Sequence, residues 1–325
     1  MMKRWLRLLQ TQGIAFFFLA SVLLGPAFTW AQGLEKVRIG IPVVAMSQLP
    51  ILMGQEKKIF QAEGFDLEVI QIRTALSLPA MVAGELDFAT SAETTIRSAV
   101  SGMPLKAIGF IGIRSSLVLM VQPRINKVTD LKGGKIAVSS LRTTTDFVAR
   151  DILKYYGLNP DKDIVTLPLG SEANKIASVK GGAVDGAIVT LPDDSIAEEQ
   201  GLKKLVFAGD IVEGLQSGLS TSVKKINENP AQVKRMARAF VKSLDLSRTD
   251  RSGSVDFIVK QWKVSRKVAE GSYDLMVKTF SPDGEAPEKL IRNLVEQVKR
   301  AQKVEREVAL SDVVDFSFVR EARKR

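Results

Sequence analysis

Between residues 36 and 122 the apolar positions switch repeatedly from alternate spacing to helical spacing. Segment 36–41 alternates and then turns wholly apolar, which predicts a strand. Pro50 suits a first helical position, and Ile51, Gln55, Ile59 and Ala62 follow at helical spacing. That helix is expected to run to Glu63, where Gly64 stops it. Segment 65–72 alternates cleanly and predicts a second strand. A short helix over 76–83 ends at Gly84, and a short strand covers 86–90. A helix over 93–100 is closed by Gly102, and strands follow over 105–113 and 117–122.

A second run of the same kind comes next. Strands are predicted over 135–139, 163–169, 184–189 and 203–208, with helices over 143–156, 172–179 and 193–200 between them. From Pro230 onward only helical spacing remains, over 230–246, 252–262, 265–280 and 287–301. Strands alternating with helices imply an α/β fold with mainly parallel sheets covered by helices. Two such units followed by helices imply two α/β lobes and a C-terminal helical layer. The tail 320–325 reads as a frayed, solvated end.

The first thirty residues change the picture. Lys3, Arg4 and Arg7 precede an uncharged apolar run over 14–24, and Gly25-Pro26 closes it. Thr29 and Ala31 place small residues at −3 and −1 of a cut before Gln32. This is the layout of a secretory signal peptide covering 1–31. An uncleaved anchor is the competing reading, but the run is short for a span of about 20 residues. No second long apolar run follows, so a soluble periplasmic protein is expected.

Composition narrows the chemistry. The 325 residues include no cysteine and no histidine. Thiol nucleophiles, disulfides, Ser-His-Asp triads and His-ligated zinc are therefore excluded. Lys, Asp and Glu leave other acid–base chemistry open, so enzymes are disfavoured rather than excluded. A net charge of +10 falls to +7 without Lys3, Arg4 and Arg7. The basic residues are interspersed with acids, which fits a solvated mixed-charge surface rather than a nucleic-acid face.

Several segments together resemble one family. Residues 50–69 (PILMGQEKKIFQAEGFDLEV) resemble the opening of ABC solute-binding proteins of the NMT1/SsuA-like group, with Lys58 and Phe65 where that pattern commonly has Gly and Leu. Residues 81–89, 102–106, 128–138 and 180–187 resemble its later segments, in the expected order. The resemblance spans nearly the whole mature chain. It implies the type II periplasmic binding protein fold, with two lobes joined by two crossing strands and a ligand in the cleft. Lobe one would comprise 34–118 plus 222–325, and lobe two 119–221. The implied function is delivery of a small ligand, here leaning to an organic sulfonate or carboxylate, to the membrane permease of an ABC importer. No catalysis, cofactor or metal is expected, and the family's members are usually monomeric. A sensory ligand-binding protein that signals to a membrane receptor is the alternative reading.

In open α/β sheets, ligands sit beyond the carboxyl ends of strands, near helix N-termini with free N–H groups. Four such junctions carry hydroxyl or amide side chains. They contribute Ser47 and Gln48, then Ser91 and Glu93, then Arg142, Thr143, Thr144 and Thr145, and finally Thr190. These are the candidate ligand-binding residues, although simple N-capping accounts for each hydroxyl taken singly. Arg142 is the leading charged candidate, since a guanidinium pairs bidentately with carboxylate or sulfonate. Arg73 and Arg114 follow strands and are weaker ones. Asp87 and Asp185 read as turn acceptors, not catalysts. Trp262, the only tryptophan of the mature chain, lies in the helical tail, which leaves aromatic stacking on a flat ligand poorly supported.

Overall fold

The computed structural model describes residues 33–324. The expected export segment, 1–31, lies outside the described residues. The chain from Glu35 builds two five-stranded sheets. The first half contributes β1 (Glu35–Ile41), α1 (Leu49–Glu56), α2 (Ile59–Ala62), β2 (Phe65–Gln71), α3 (Thr74–Ala83), β3 (Phe88–Ala89), α4 (Ala92–Val100) and β4 (Leu105–Phe110). Next come β5 (Leu117–Val121), β6 (Lys135–Val138), α5 (Thr144–Tyr155), β7 (Val165–Pro168), α6 (Glu172–Lys180), β8 (Gly186–Thr190), α7 (Asp193–Glu199) and β9 (Lys203–Phe207). The chain ends with β10 (Gly218–Ser222) and seven helices: α8 (Val223–Glu228), α9 (Pro230–Thr249), α10 (Arg251–Trp262), α11 (Arg266–Met276), α12 (Glu288–Gln302), and the short α13 (Leu310–Val313) and α14 (Ser317–Arg323).

The two sheets are laid out alike. Their orders are β2-β1-β3-β10-β4 and β7-β6-β8-β5-β9. In each, four strands share one direction and one strand from elsewhere in the chain lies antiparallel to them in fourth place. The sheets are therefore mixed, with four strands in one direction and β5 or β10 entering against their neighbours. Alternating patterning in the sequence cannot register that reversal. Asp87 and Asp185 occupy matching places. Each carboxylate accepts a backbone N–H from the neighbouring first strand, that of Arg38 at 2.9 Å and that of Lys135 at 2.8 Å. Lys225 and Arg124 pair with their remaining oxygens.

Two segments, 111–116 and 208–217, cross between the sheets and are hydrogen-bonded to one another. Ile111 N–H donates to Ser217 O at 2.8 Å, Gly214 N–H to Ile113 O at 3.1 Å and Ser115 N–H to Val212 O at 3.1 Å. The molecule is thus two α/β lobes joined by two crossing segments, with a C-terminal helical layer packed mainly on the first sheet. Met236, Ala237, Phe240 and Leu244 of α9 are fully buried there. Its polar side reaches Glu63. Burial lifts that carboxyl, but Lys242 at 2.7 Å and Arg238 at 2.8 Å outweigh burial and hold it below the usual range. Arg235 lies 4.6 Å above the Phe65 ring, within cation–π range.

Four elements depart from expectation for identifiable reasons. The helix expected from Pro50 to Glu63 breaks after Glu56, because Lys58 adopts a left-handed conformation with φ of 58°. This is the position where the resembled pattern commonly has glycine, which adopts that conformation without steric cost. The strand expected over 105–113 stops at Phe110, and its last residues become the first crossing segment. The helix expected over 265–280 ends at Met276 in a tighter turn over Val277–Thr279. The tail is not frayed as far as Arg323. Phe318 and Val319 are buried, Arg320 forks onto Glu285 at 2.8 and 2.6 Å, and Arg323 reaches Asp245 at 3.0 Å.

Candidate functional site

The four strand-to-helix junctions meet between the lobes, but they do not share one space. Those after β1 and β8 are covered by α11. Ser272 of that helix donates toward Asp194 Oδ1 at 3.5 Å, and its hydroxyl lies 3.2 Å from that of Ser195. Asp194 is wholly buried. Burial lifts its carboxyl above the usual range, and Lys204 at 2.7 Å only partly offsets this. Lys204 is itself lifted, because Asp194 and Glu198 outweigh its own burial. Ser47 faces Met276, Thr279 and Phe280 across a void of about 10 Å³, too small for a ligand. Its carbonyl accepts the Ser217 hydroxyl at 2.9 Å, and Gln48 is buried.

The β8 junction is held by a buried ammonium. Lys175 is fully enclosed and donates to Ile188 O at 2.5 Å, Glu172 Oε1 at 3.0 Å and Ser139 Oγ at 3.1 Å. All three of its N–H groups are used. Glu172 Oε2 then accepts Thr190 N–H at 3.4 Å, and the Thr190 hydroxyl donates toward Asp193 at 3.5 Å. Burial raises the Asp193 carboxyl above its usual range, with Glu172 adding to the shift and the Thr190 hydroxyl opposing it. Thr190 is thus placed inside a structural network. Thr145 has a similar role, its Oγ1 accepting Ser139 N–H at 3.0 Å.

The other two junctions open on a cleft of about 830 Å³. Glu93, Arg142, Thr143 and Thr144 line it together, joined by Arg97 of α4 and Arg300 of α12. Ser91 precedes α4 but is not among the lining residues. Arg73 and Trp262 also lie outside it, and Arg114 lines the small void instead. The second crossing segment forms one wall through Val212–Gln216. Leu215, Leu290, Leu294, Phe147 and Val148 give the cleft an apolar side, and Asn293 and Gln297 offer amides.

Its electrostatics are uneven. Arg97 is committed to Glu93 at 2.8 Å, and Arg114 to Glu213 at 3.5 Å. Among the described residues, Arg142 and Arg300 have no acidic partner and their guanidinium groups no hydrogen bond. Arg142 has a further peculiarity. Its φ is 61°, a conformation uncommon for a residue with a Cβ. Lys58, Lys263 and Lys303 share it, but each follows a helix end, where it is frequent. Arg142 instead follows a strand, with no helix end before it. The buried Asp146 fixes it there by accepting its backbone N–H at 2.7 Å, and Arg150 holds Asp146 from behind at 3.2 Å. Thr143 turns its hydroxyl back to Ser140 O at 2.7 Å and so leaves the first N–H groups of α5 uncapped. Free N–H groups at a helix start, beside an unpaired guanidinium, are suited to an anion. Among the described residues no group of His, Cys, Asp or Glu is arranged to hold a metal ion. None of their helices is long and apolar enough to cross a membrane.

Arg300, Asn293 and Gln297 carry no signal in the sequence. Their spacing matches any solvated helix face, and only the fold turns that face into a cleft wall.

Comparison with known proteins places this geometry. The model of the family described as NMT1/THI5 like matches residues 46–250. No curated protein sequence matches the chain. Among solved structures, the periplasmic aliphatic sulphonate binding protein SsuA from Escherichia coli is 18% identical, with a TM-score of 0.66 over 85% of this chain and 96% of that one. The periplasmic nitrate-binding protein NrtA from Synechocystis PCC 6803 is 15% identical, with a TM-score of 0.65 over 90% and 89%. A DSZB mutant in complex with biphenyl-2-sulfinic acid is 14% identical, with a TM-score of 0.64 over 89% and 99%. At these identities the likeness is one of fold.

Proposed function

The chain belongs to the NMT1/THI5-like family, and from that premise we propose that it is an exported solute-binding protein that hands a small organic anion to the permease of an ABC importer. The observation that carries this is the open half of the cleft, where unpaired Arg142 and the uncapped start of α5 face the unpaired Arg300 of α12. In this reading the moving bodies are the two lobes expected from the sequence, 34–118 with 222–325 and 119–221, except that β5 moves with the second sheet and β10 with the first, and they close on the ligand by bending at the crossing segments. No covalent step is needed, which accords with a chain lacking His and Cys. The sulphonate- and nitrate-binding neighbours favour an oxyanion as the group recognised.

A thermal-shift screen of the ligand-free secreted protein against sulfonates, carboxylates, nitrate and pyrimidines tests the proposal. One anion class should give a saturable rise, equivalent to about 2.7 kcal/mol at a hundredfold excess over Kd. Arg142→Ala should abolish that rise while leaving the unliganded melting temperature nearly unchanged, since its side chain holds nothing in the fold. A rise that survives the substitution moves the site elsewhere. No rise with any class overturns the anion reading.

A further inference from the structure

Five charged residues line the open half of the cleft: Glu93, Arg97, Arg142, Glu213 and Arg300. Both acids are spent on protein partners. Glu93 pairs with Arg97, and Glu213 pairs with Arg114, which approaches from outside the cleft wall. What remains is two guanidinium groups with nothing to neutralise them. They come from different lobes. Arg142 belongs to the loop after β6 in the second lobe. Arg300 belongs to α12, which is fastened to the first lobe through Gln302 to Ser101, while Arg306 just beyond it donates to Ala99 O at 2.9 Å and Val100 O at 3.1 Å. The apolar side chains Phe147, Leu215, Leu290 and Leu294 line the same cleft, with Phe147 54% exposed.

We infer that the ligand is a dianion with an acidic group at each end and an apolar middle, such as an α,ω-dicarboxylate, a sulfocarboxylate or an aromatic diacid. This rests on the anion-binding reading above and narrows it. A monoanion carries one charge, so one of the two guanidiniums would remain uncompensated in the closing cleft. A two-ended anion pairs with both. Its binding then also ties the lobes together, because each end is held by a different lobe. The cleft has room to spare for a body of this kind, since about 830 Å³ far exceeds the volume of nitrate. Arg142 is suited to be the fixed end, because its backbone is pinned by Asp146, whereas Arg300 extends from an ordinary helical position.

Isothermal titration of the secreted protein with the diacid series from succinate to sebacate, and with terephthalate, tests this against the monoacids of matched length and against benzoate. Affinity should pass through a maximum at one diacid length. The best diacid should bind at least about a hundredfold more tightly than its monoacid. Arg142→Gln and Arg300→Gln should each bring that diacid down to the level of the monoacid, with unchanged circular dichroism melting curves. Diacids and monoacids that bind alike, with no preferred length, overturn the two-ended ligand while leaving the anion-binding reading intact. Failure of every carboxylate together with every sulfonate and nitrate in the thermal screen overturns both.

Discussion

Replacing Lys175 by methionine is expected to lower the unfolding free energy by about 3–5 kcal/mol, as breaking a buried ion pair from one side does. The ammonium is wholly enclosed and satisfies Ile188 O, Glu172 and Ser139 at once. Methionine fills much of the same space but donates nothing. It leaves the strand carbonyl without its side-chain donor and the Glu172 carboxylate beside Asp193, whose carboxyl burial and Glu172 already push up. Glu172 retains some exposure, which places the expected loss toward the lower end of that range. Urea denaturation at constant slope measures it. The double change Lys175→Met with Glu172→Gln should recover part of the loss, because the stranded charge is then gone. A single substitution within about 1 kcal/mol of the parent would mean that the network is not what holds the lobe-two junctions in place.

Gly218→Ala is expected to be the most disruptive single-methyl change in the molecule. A Cβ there would overlap the Gly109 carbonyl oxygen and stand 2.8 Å from Phe110 Cα and 2.9 Å from Ala92 Cβ. Two of these obstacles are backbone atoms of the adjacent strand, so no rotamer change relieves them. Gly218 pairs with Phe110 where the second crossing segment re-enters the first sheet, and its N–H donates to Thr90 O at 2.9 Å. Overpacking costs roughly 1–3 kcal/mol in ordinary cores and more where the backbone must move, so about 3 kcal/mol or more is expected here. The displacement would pass directly to Leu215 and Gln216 in the cleft wall, so anion affinity should fall with stability. Gly214→Ala is the matched control. It lies in the same segment, its nearest neighbour is 3.9 Å away, and its stability should stay within about 0.5 kcal/mol of the parent. Equal behaviour of the two variants would contradict the close strand approach.

The elements with clean alternation or helical spacing were legible from the chain alone. β1, β2 and the C-terminal helices α9, α10 and α12 fall close to where patterning puts them. β10 did not announce itself, because Gly-Leu-Ser-Thr-Ser carries one large apolar residue although every position of it is buried. Its burial comes from lying between β3 and β4, a relation between distant parts of the chain. The same limit governs the site. Hydroxyls at four junctions are visible in the sequence, but α11 decides which junctions stay open, and its spacing is that of any amphipathic helix. Arg142 was readable as a charged group at a helix start. Arg300 was not, since a lone arginine on a polar helix face has no local mark of function. Lys58 is a further miss: the helix expected through it breaks there, although the resembled pattern commonly has a glycine at that position.

The claim that an anion is held between the lobes is tested most directly by a distance across the cleft. The chain has no cysteine, so Asp151→Cys on α5 and Glu296→Cys on α12 give two unique spin-label sites beside opposite walls. Double electron–electron resonance should show the label separation shorten and its distribution narrow when a binding anion is added. The same pair carrying Arg142→Ala should not respond. An anion that saturates the protein, as judged by calorimetry, yet leaves that distance unchanged would contradict binding between the lobes.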